Sequence, residues 1–337
     1  MALRAGAIRF NTDSSQMEMW DGNQWTGILS TSSELETGAD TGIIGAVGAD
    51  GSYVNRVEKV NMSTTGNAID YADLNYNTAQ NGVHGNRTHA VFAGGYDNPT
   101  RQSNTDYVII ASGGTATAGG SLTTARQLNG CCACNQTRGL HIGGYVGPAH
   151  SPEYVNTIDY VTFSEKSAAV DFGDMINANE RCASFASPTR AINLGGAQGP
   201  NAQKQEIRYV TISTLGNTAD FGTLTNTRTF CGSGSNAVRG IICGDAYPGT
   251  TEVSYVTIAT LGSDTDFGDL TDGRNGLGAA ASKTRVVAFG GRISPTPAGG
   301  KTIDYAQIMT TGNFLDFGDL TANSCFMDGT SNSHGGL

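Results

Sequence analysis

A strand-forming string, Tyr-Val-Thr-Ile or a close variant, recurs along this chain with a second element at a fixed distance behind it. YVII begins at Tyr107, YVTF at Tyr160, YVTI at Tyr209 and Tyr255 and YAQI at Tyr305, in steps of 53, 49, 46 and 50 residues, and KVNM at Lys59 is a sixth copy. Eleven residues after each start stand DFG at Asp171, Asp220, Asp266 and Asp316, DYA at Asp70 and a decayed AGG at Ala118. A period of about 50 residues marks units that cannot bury their apolar face alone and must stack on neighbours, as in propellers and solenoids.

Between one DFG and the next Tyr a second strand ends in paired glycines: VFAGG at Gly95, LHIGG at Gly144, INLGG at Gly196 and VAFGG at Gly291, with IICGD and GAVGA as worn versions. An Arg or His opens most of these strands, at His89, Arg138, Arg190, Arg239 and Arg285. Before it lies a strand of small residues such as CASFAS, CGSGS or GLGAAAS, suited to a crowded central axis. Each unit therefore reads as four strands: a small inner one, one ending in GG, the β-branched YVTI strand and a short outer strand around DFGDL. The segment from Cys325 looks like a first strand with no successor, and GIIGAVGA from Gly42 looks like a second strand with no predecessor. Both strand counts give six. The expected fold is all-β, a six-bladed β-propeller over residues 35–337 closed by strands from the two ends, which leaves no open stack edge. The 47 glycines and 15% charged residues agree with many short strands and tight turns.

Residues 1–34 stand outside the repeat. IRFNT, a turn, MEMW, the Asp21-Gly22 hairpin signal and NQWTGI predict a three-stranded β-meander carrying both tryptophans. Thirty residues cannot stand alone, so Ile8, Phe10, Met19, Trp20 and Trp25 are expected to serve attachment or oligomerisation.

The glycine pairs, the following Tyr or β-branched strand and the Arg at the next unit resemble the kelch motif, in a variant where DFG replaces the usual tryptophan-bearing strand. The string AIRFNTDSSQMEMWDGNQW also resembles a segment, GxIRxNT followed by an acid, an aromatic and DGxxW, found in tail fibres and other virion proteins of marine tailed bacteriophages. Kelch-like units with YVTI and DFGDL strings look like those of the same phages. The resemblance implies a virion protein made in the host cytoplasm and carried on the tail or another exterior structure. It implies attachment to other virion proteins through residues 1–34, a trimer as fibres often form, and a displayed propeller.

The chemistry points to binding. A net charge of −10 without a basic cluster disfavours nucleic acid, and no run of apolar residues is long enough to insert into a membrane. Four DFG copies at one phase argue for structure over magnesium binding, with Asp capping a turn and Phe filling between units. GGKT at Gly299 lacks the first glycine of a phosphate loop and reads as a loop between strands. The seven cysteines are expected as free, mostly packed thiols, and the histidines show no ligand spacing, so no metal and no cofactor are expected. The aligned Arg residues, those opening the second strands and those opening the first strands (Arg126, Arg181, Arg228 and Arg274), read as repeated hydrogen-bonding groups. No catalytic constellation is present in the sequence, so an enzyme is not expected. The variable loops between second and third strands and between units supply the candidate ligand face: Tyr96, Asp97, Asn98, Arg101, Tyr145, His150, Tyr154, Gln198, Asn201, Tyr247 and Arg292. A Tyr- and Asn-rich face suits a host-surface glycan, an outer-membrane component or a protein receptor. The alternatives are a purely structural capsid, collar or tail decoration and, last, a polysaccharide-degrading enzyme.

Overall fold

The structure is a computed structural model that describes residues 4, 6–11, 16–27, 40–45, 52–128, 132–147, 153–199, 202–245, 249–293 and 299–337. It is all-β, with no helix among the described residues, and it divides into two compact units, Met1–Ala39 and Asp40–Leu337.

In the first unit, Ile8–Asn11, Gln16–Trp20 and Trp25–Gly27 form one antiparallel sheet in chain order. Ile8 lies opposite Met19 and Trp20 opposite Trp25. Alternation therefore puts Ile8, Phe10 and Met19 on one face and Arg9, Glu18 and the tryptophans on the other. The turn forms because Asp21 Oδ1 accepts the Asn23 and Gln24 amides at 2.7 and 2.8 Å and Gly22 takes a positive φ of 108°.

The second unit contains six small sheets of four or five strands among the described residues. In chain order, the second sheet is Gly82–Gly85, His89–Ala93, Asn104–Ile109 and Thr117–Ser121, and the third is Cys132–Cys134, Arg138–Tyr145, Tyr154–Thr162 and Val170–Asp174. Ala183–Ala186, Arg190–Leu194, Glu206–Thr211 and Ala219–Thr223 make the fourth. Gly232–Ser235, Arg239–Cys243, Thr250–Thr257 and Thr265–Asn275 belong to the fifth, and Gly278–Ala281, Arg285–Phe289, Gly300–Gln307 and Leu315–Ser324 to the sixth. The first sheet draws on both ends of the unit: Asp328–Ser331 pairs antiparallel with Thr41–Gly45, which continues through Val54–Asn61 to Ile69–Thr78. Each leading strand packs beside the next, and Asp328–Ser331 packs beside both Gly278–Ala281 and Gly82–Gly85.

Three repeated devices join neighbouring sheets. The DFG phenylalanines Phe172, Phe221, Phe267 and Phe317 are buried, which contributes about 1.5–3 kcal/mol each. Their carbonyls accept the amides of Gly216, Gly262, Gly312 and Gly66 in the following sheet at 2.8–3.0 Å. That approach requires the DFG glycine: a Cβ on Gly318, at φ 149°, would lie 2.6 Å from the Gly66 carbonyl oxygen. The DFG aspartates do not cap turns. They sit exposed within the outer strands, and the turn contacts come from asparagines such as Asn217, whose Oδ1 accepts the Asp174 amide at 2.9 Å.

The second device is the Arg that opens the second strand in four of the sheets. Arg138, Arg190, Arg239 and Arg285 stack on Tyr160, Tyr209, Tyr255 and Tyr305 at 4.3–4.9 Å. Each Nη1 then donates to a carbonyl of the next sheet, at Ile212, Ile258, Ile308 and Met62. The third device is a carboxylate on the third strand that accepts from the preceding sheet: Asp159 from Thr123, Asp304 from Thr271, Glu58 from Thr321 and Asp106 from Asn75. Arg126 and Arg274, fully buried, pair with Asp159 and Asp304 at 2.6 and 2.5 Å.

The residues just before the leading strands are linked by backbone hydrogen bonds. Gln80, Arg181, Phe230, Gly276 and Phe326 all have φ between 55° and 61°. The amides of Phe230, Gly276, Phe326, Gln80 and Leu128 donate in turn to the carbonyls of Arg181, Phe230, Gly276, Phe326 and Gln80. The last residues of the chain lie across the inner strands: the Gly335 amide donates to Ser235 at 2.7 Å, and a Cβ on Gly336 would lie 1.9 Å from the Cys134 carbonyl oxygen. Cys132, Cys134, Cys231 and Cys243 are buried free thiols, whereas Cys182 is disulfide-bonded, which corrects the expectation of free thiols throughout. Inner strands crowd together, and linear spacing does not report which sulfurs meet. GGKT also departs from its expected loop: Lys301 lies within the strand Gly300–Gln307, its Nζ 3.1 Å from Asp319.

Candidate functional site

Four of the residues expected on the ligand face converge. The paired glycines Gly94 and Gly95, both at positive φ, end a second strand and turn the chain into a short hairpin in which Tyr96 lies opposite Arg101 and Asp97 opposite Thr100. Tyr145 and Tyr154 end adjacent strands of the third sheet as direct partners, with ring centroids 5.3 Å apart. The Arg101 guanidinium bridges the two loops, 5.1 Å above the Tyr96 ring and 4.7 Å above that of Tyr145. Gly147 makes room for it, since a Cβ there would lie 2.6 Å from Arg101 Cζ. Tyr53, just before the first-sheet strand Val54–Asn61, meets Tyr96 edge-on at 5.6 Å. These five side chains are all partly exposed. Arg101 Nε is buried with no hydrogen-bond partner, and the cation lies between the two π faces while also attracting the nearby Glu180 carboxyl.

A buried carboxyl lies at the edge of this cluster. Burial pushes Glu180 up to about 7, against the pull of Arg181 and Arg101, and burial together with Glu180 and Glu153 raises the Tyr154 phenol. Arg181, 3.0 Å from Glu180, leads to a second aromatic and arginine group. It stacks on Phe230, Phe230 lies 5.0 Å from Phe326, and Arg292 stacks on Phe326 at 4.5 Å. Aromatic planes beside guanidinium and carboxyl groups can stack on apolar sugar faces and hydrogen-bond to hydroxyls or carboxylates.

The remaining expected residues divide. Asn98 accepts from the Tyr96 hydroxyl at 2.9 Å and is exposed beside Asp97. Arg292 belongs to the second group, and Gln198 is exposed in its own loop, its amide bonded to Ala202. His150, Asn201 and Tyr247 lie outside the described residues. Sequence reasoning missed Tyr53, Glu180, Phe230 and Phe326 and placed Arg181 with the structural arginines Arg126, Arg228 and Arg274. Those three are fully buried, whereas Arg181 is partly exposed and takes a left-handed φ. The signal available in the sequence was its Glu neighbour, because no other residue of that set follows an acid.

In the meander, Ile8, Phe10 and Met19 form an exposed apolar face, at 59, 57 and 40% exposure. The opposite face is internally satisfied: Trp20 and Trp25 lie 5.6 Å apart, and Arg9 stacks on Trp25 and pairs with Glu18. Of the five residues expected to serve attachment, three are thus displayed and the two tryptophans are turned to the other face. Comparison with known protein families and with curated proteins found no match.

Proposed function

We propose that Asp40–Leu337 is a six-bladed kelch-like β-propeller in a phage virion protein, a tail fibre or related adhesin that binds a host-surface glycan. Residues 1–34 attach it to other virion proteins, as a trimer, and the protein acts by binding without catalysing a reaction. The six-bladed reading is supported by the chain of hydrogen bonds through the residues that precede the leading strands and by the pairing of Asp328–Ser331 with Thr41–Gly45. One observation carries the glycan reading: Arg101 lies, partly exposed, between the Tyr96 and Tyr145 rings. An aromatic shelf with a partly exposed guanidinium suits an acidic saccharide, which brings apolar ring faces and a carboxylate.

Purified full-length chain is expected to bind susceptible cells and their isolated envelope polysaccharide. Arg101→Ala and Tyr145→Ala should each weaken binding about tenfold or more with unchanged unfolding transitions. A folded chain that neither binds cells nor competes with infection would sink the adhesin reading, and release of oligosaccharides would replace it with the enzyme.

A second reading, structural decoration of capsid, collar or tail, is favoured by exposed apolar residues at outer strands and adjoining turns: Val170, Leu215, Leu261 and Leu315 are 54–60% exposed. Binding confined to other virion proteins would select it.

A further inference from the structure

Structural devices in this molecule recur from sheet to sheet, so a side-chain cluster found at one place only is a candidate for function. One buried cluster breaks the pattern. Cys132, His141 and Asp159 form a single cross-strand row over the first three strands of the third sheet. His84 projects toward them from the leading strand of the second sheet, and its Nε2 lies 2.9 Å from that of His141. The ligand atoms of His84, Cys132 and His141 all lie within 4.8 Å of one another, and all three residues are buried. At the register of His84 other sheets carry Ala133, Gly234 and Ala280; at that of Cys132, Ser184 and Ser233; at that of His141, Asn193 and Ala288. The fold therefore does not require imidazoles or a thiol here.

We propose that His84 Nε2, Cys132 Sγ and His141 Nε2 bind a divalent transition-metal ion, with Zn²⁺ the best match to the donor set. Two imidazoles and a thiolate suit a borderline ion and exclude Ca²⁺ and Mg²⁺, which take oxygen. Tetrahedral Zn²⁺ holds its nitrogen ligands about 3.3 Å apart, so the present spacing needs only small side-chain rotations. Asp159 Oδ1 lies 3.4 Å from His141 Nδ1, close enough to serve as an outer carboxylate that would orient the ring once Nε2 binds the ion. The ring atom His84 Nδ1 is buried without a hydrogen-bond partner. Both His84 and Cys132 border a pocket with about 40 Å³ of room for water, enough to supply a fourth ligand. Binding through Sγ displaces the thiol proton to solvent, and no electron moves.

The test is Co²⁺ and Zn²⁺ binding to the full chain, both added to the folded protein and present during refolding, with metal content and the thiolate-to-cobalt charge-transfer band as readouts. One ion per chain with that band is expected. His84→Ala, Cys132→Ser and His141→Asn copy residues that other sheets tolerate at the same register. Each should weaken Co²⁺ binding at least about 100-fold, beyond the loss typical of an outer-shell partner, with an unchanged fold. Cys231→Ser should keep the band. A folded wild-type chain that takes up no stoichiometric Co²⁺ under either condition, or a band that survives Cys132→Ser, overturns the proposal.

Discussion

Arg285 Nη1 donates to the Met62 carbonyl at 3.0 Å across 223 residues of sequence, joining the last complete sheet to the first. The same guanidinium stacks on Tyr305, so one side chain links stacking within a sheet to hydrogen bonding between sheets. Arg285→Ala should cost about 1–3 kcal/mol of unfolding free energy, and Arg285→Lys should recover less than half of it, because an ammonium lacks the planar fork. Urea unfolding gives the value. A loss of under about 0.5 kcal/mol would show that the joint is redundant.

Gly318 and Gly312 have nearly the same φ, 149° and 154°, but different surroundings. A Cβ on Gly318 meets the Gly66 carbonyl at 2.6 Å, and one on Gly312 meets nothing within 4 Å. Gly318→Ala should therefore destabilise by about 1–3 kcal/mol and clearly more than Gly312→Ala, whose cost is backbone strain alone. Equal losses in thermal unfolding would mean that strain, and not the approach of the next sheet, selects glycine.

Arg274 and Asp304 form a fully buried pair at 2.5 Å. Arg274→Met leaves a buried carboxylate uncompensated and should cost about 3–5 kcal/mol. The double variant Arg274→Met/Asp304→Leu should recover a substantial part of that loss, as a double-mutant cycle would read. Additive losses would place the stabilisation in the bonds to Gly290, Thr302 and Thr271 instead.

Burial pushes the Asp328 carboxyl up from 3.8 to about 7, against the pull of hydrogen bonds from the Val83 and Gly329 amides. Over that interval the folded chain holds a proton that the unfolded chain has lost. The contribution is complete below the unfolded value and is lost as pH rises toward about 7, a change on the order of 4 kcal/mol. Asp328→Asn should flatten the stability profile between about pH 4 and about pH 8. A wild-type profile without that slope would show that Asp328 is ionised in the folded chain.

The period of about 50 residues, the strand content and the strand-ending glycine pairs were legible in the sequence because they are local. β-branched alternation, left-handed turns and an eleven-residue offset repeat wherever the same backbone path repeats. The loop residues Tyr96, Arg101, Tyr145 and Tyr154 were legible as variable positions on a repeated scaffold, but not as one stack, because Arg101 meets Tyr145 only where two sheets adjoin. The DFG phenylalanine was readable as filling between units, whereas the reason for its glycine lies in the next sheet, at a carbonyl that no local propensity encodes. Arg181 looked like its repeat partners and differs from them in exposure, in its left-handed φ and in its contact with Glu180.

The sequence by itself determined the repeating unit and its strand order, since each rests on dihedral preference and alternation within a few residues. Only the tertiary structure decided which side chains meet: Arg285 with Met62, Arg101 between two tyrosines, and His84 with Cys132 and His141. The Arg101–Tyr145, His84–His141 and Arg285–Met62 contacts arise from packing sheet against sheet, where partners lie 44, 57 and 223 residues apart and chain spacing carries no record of them.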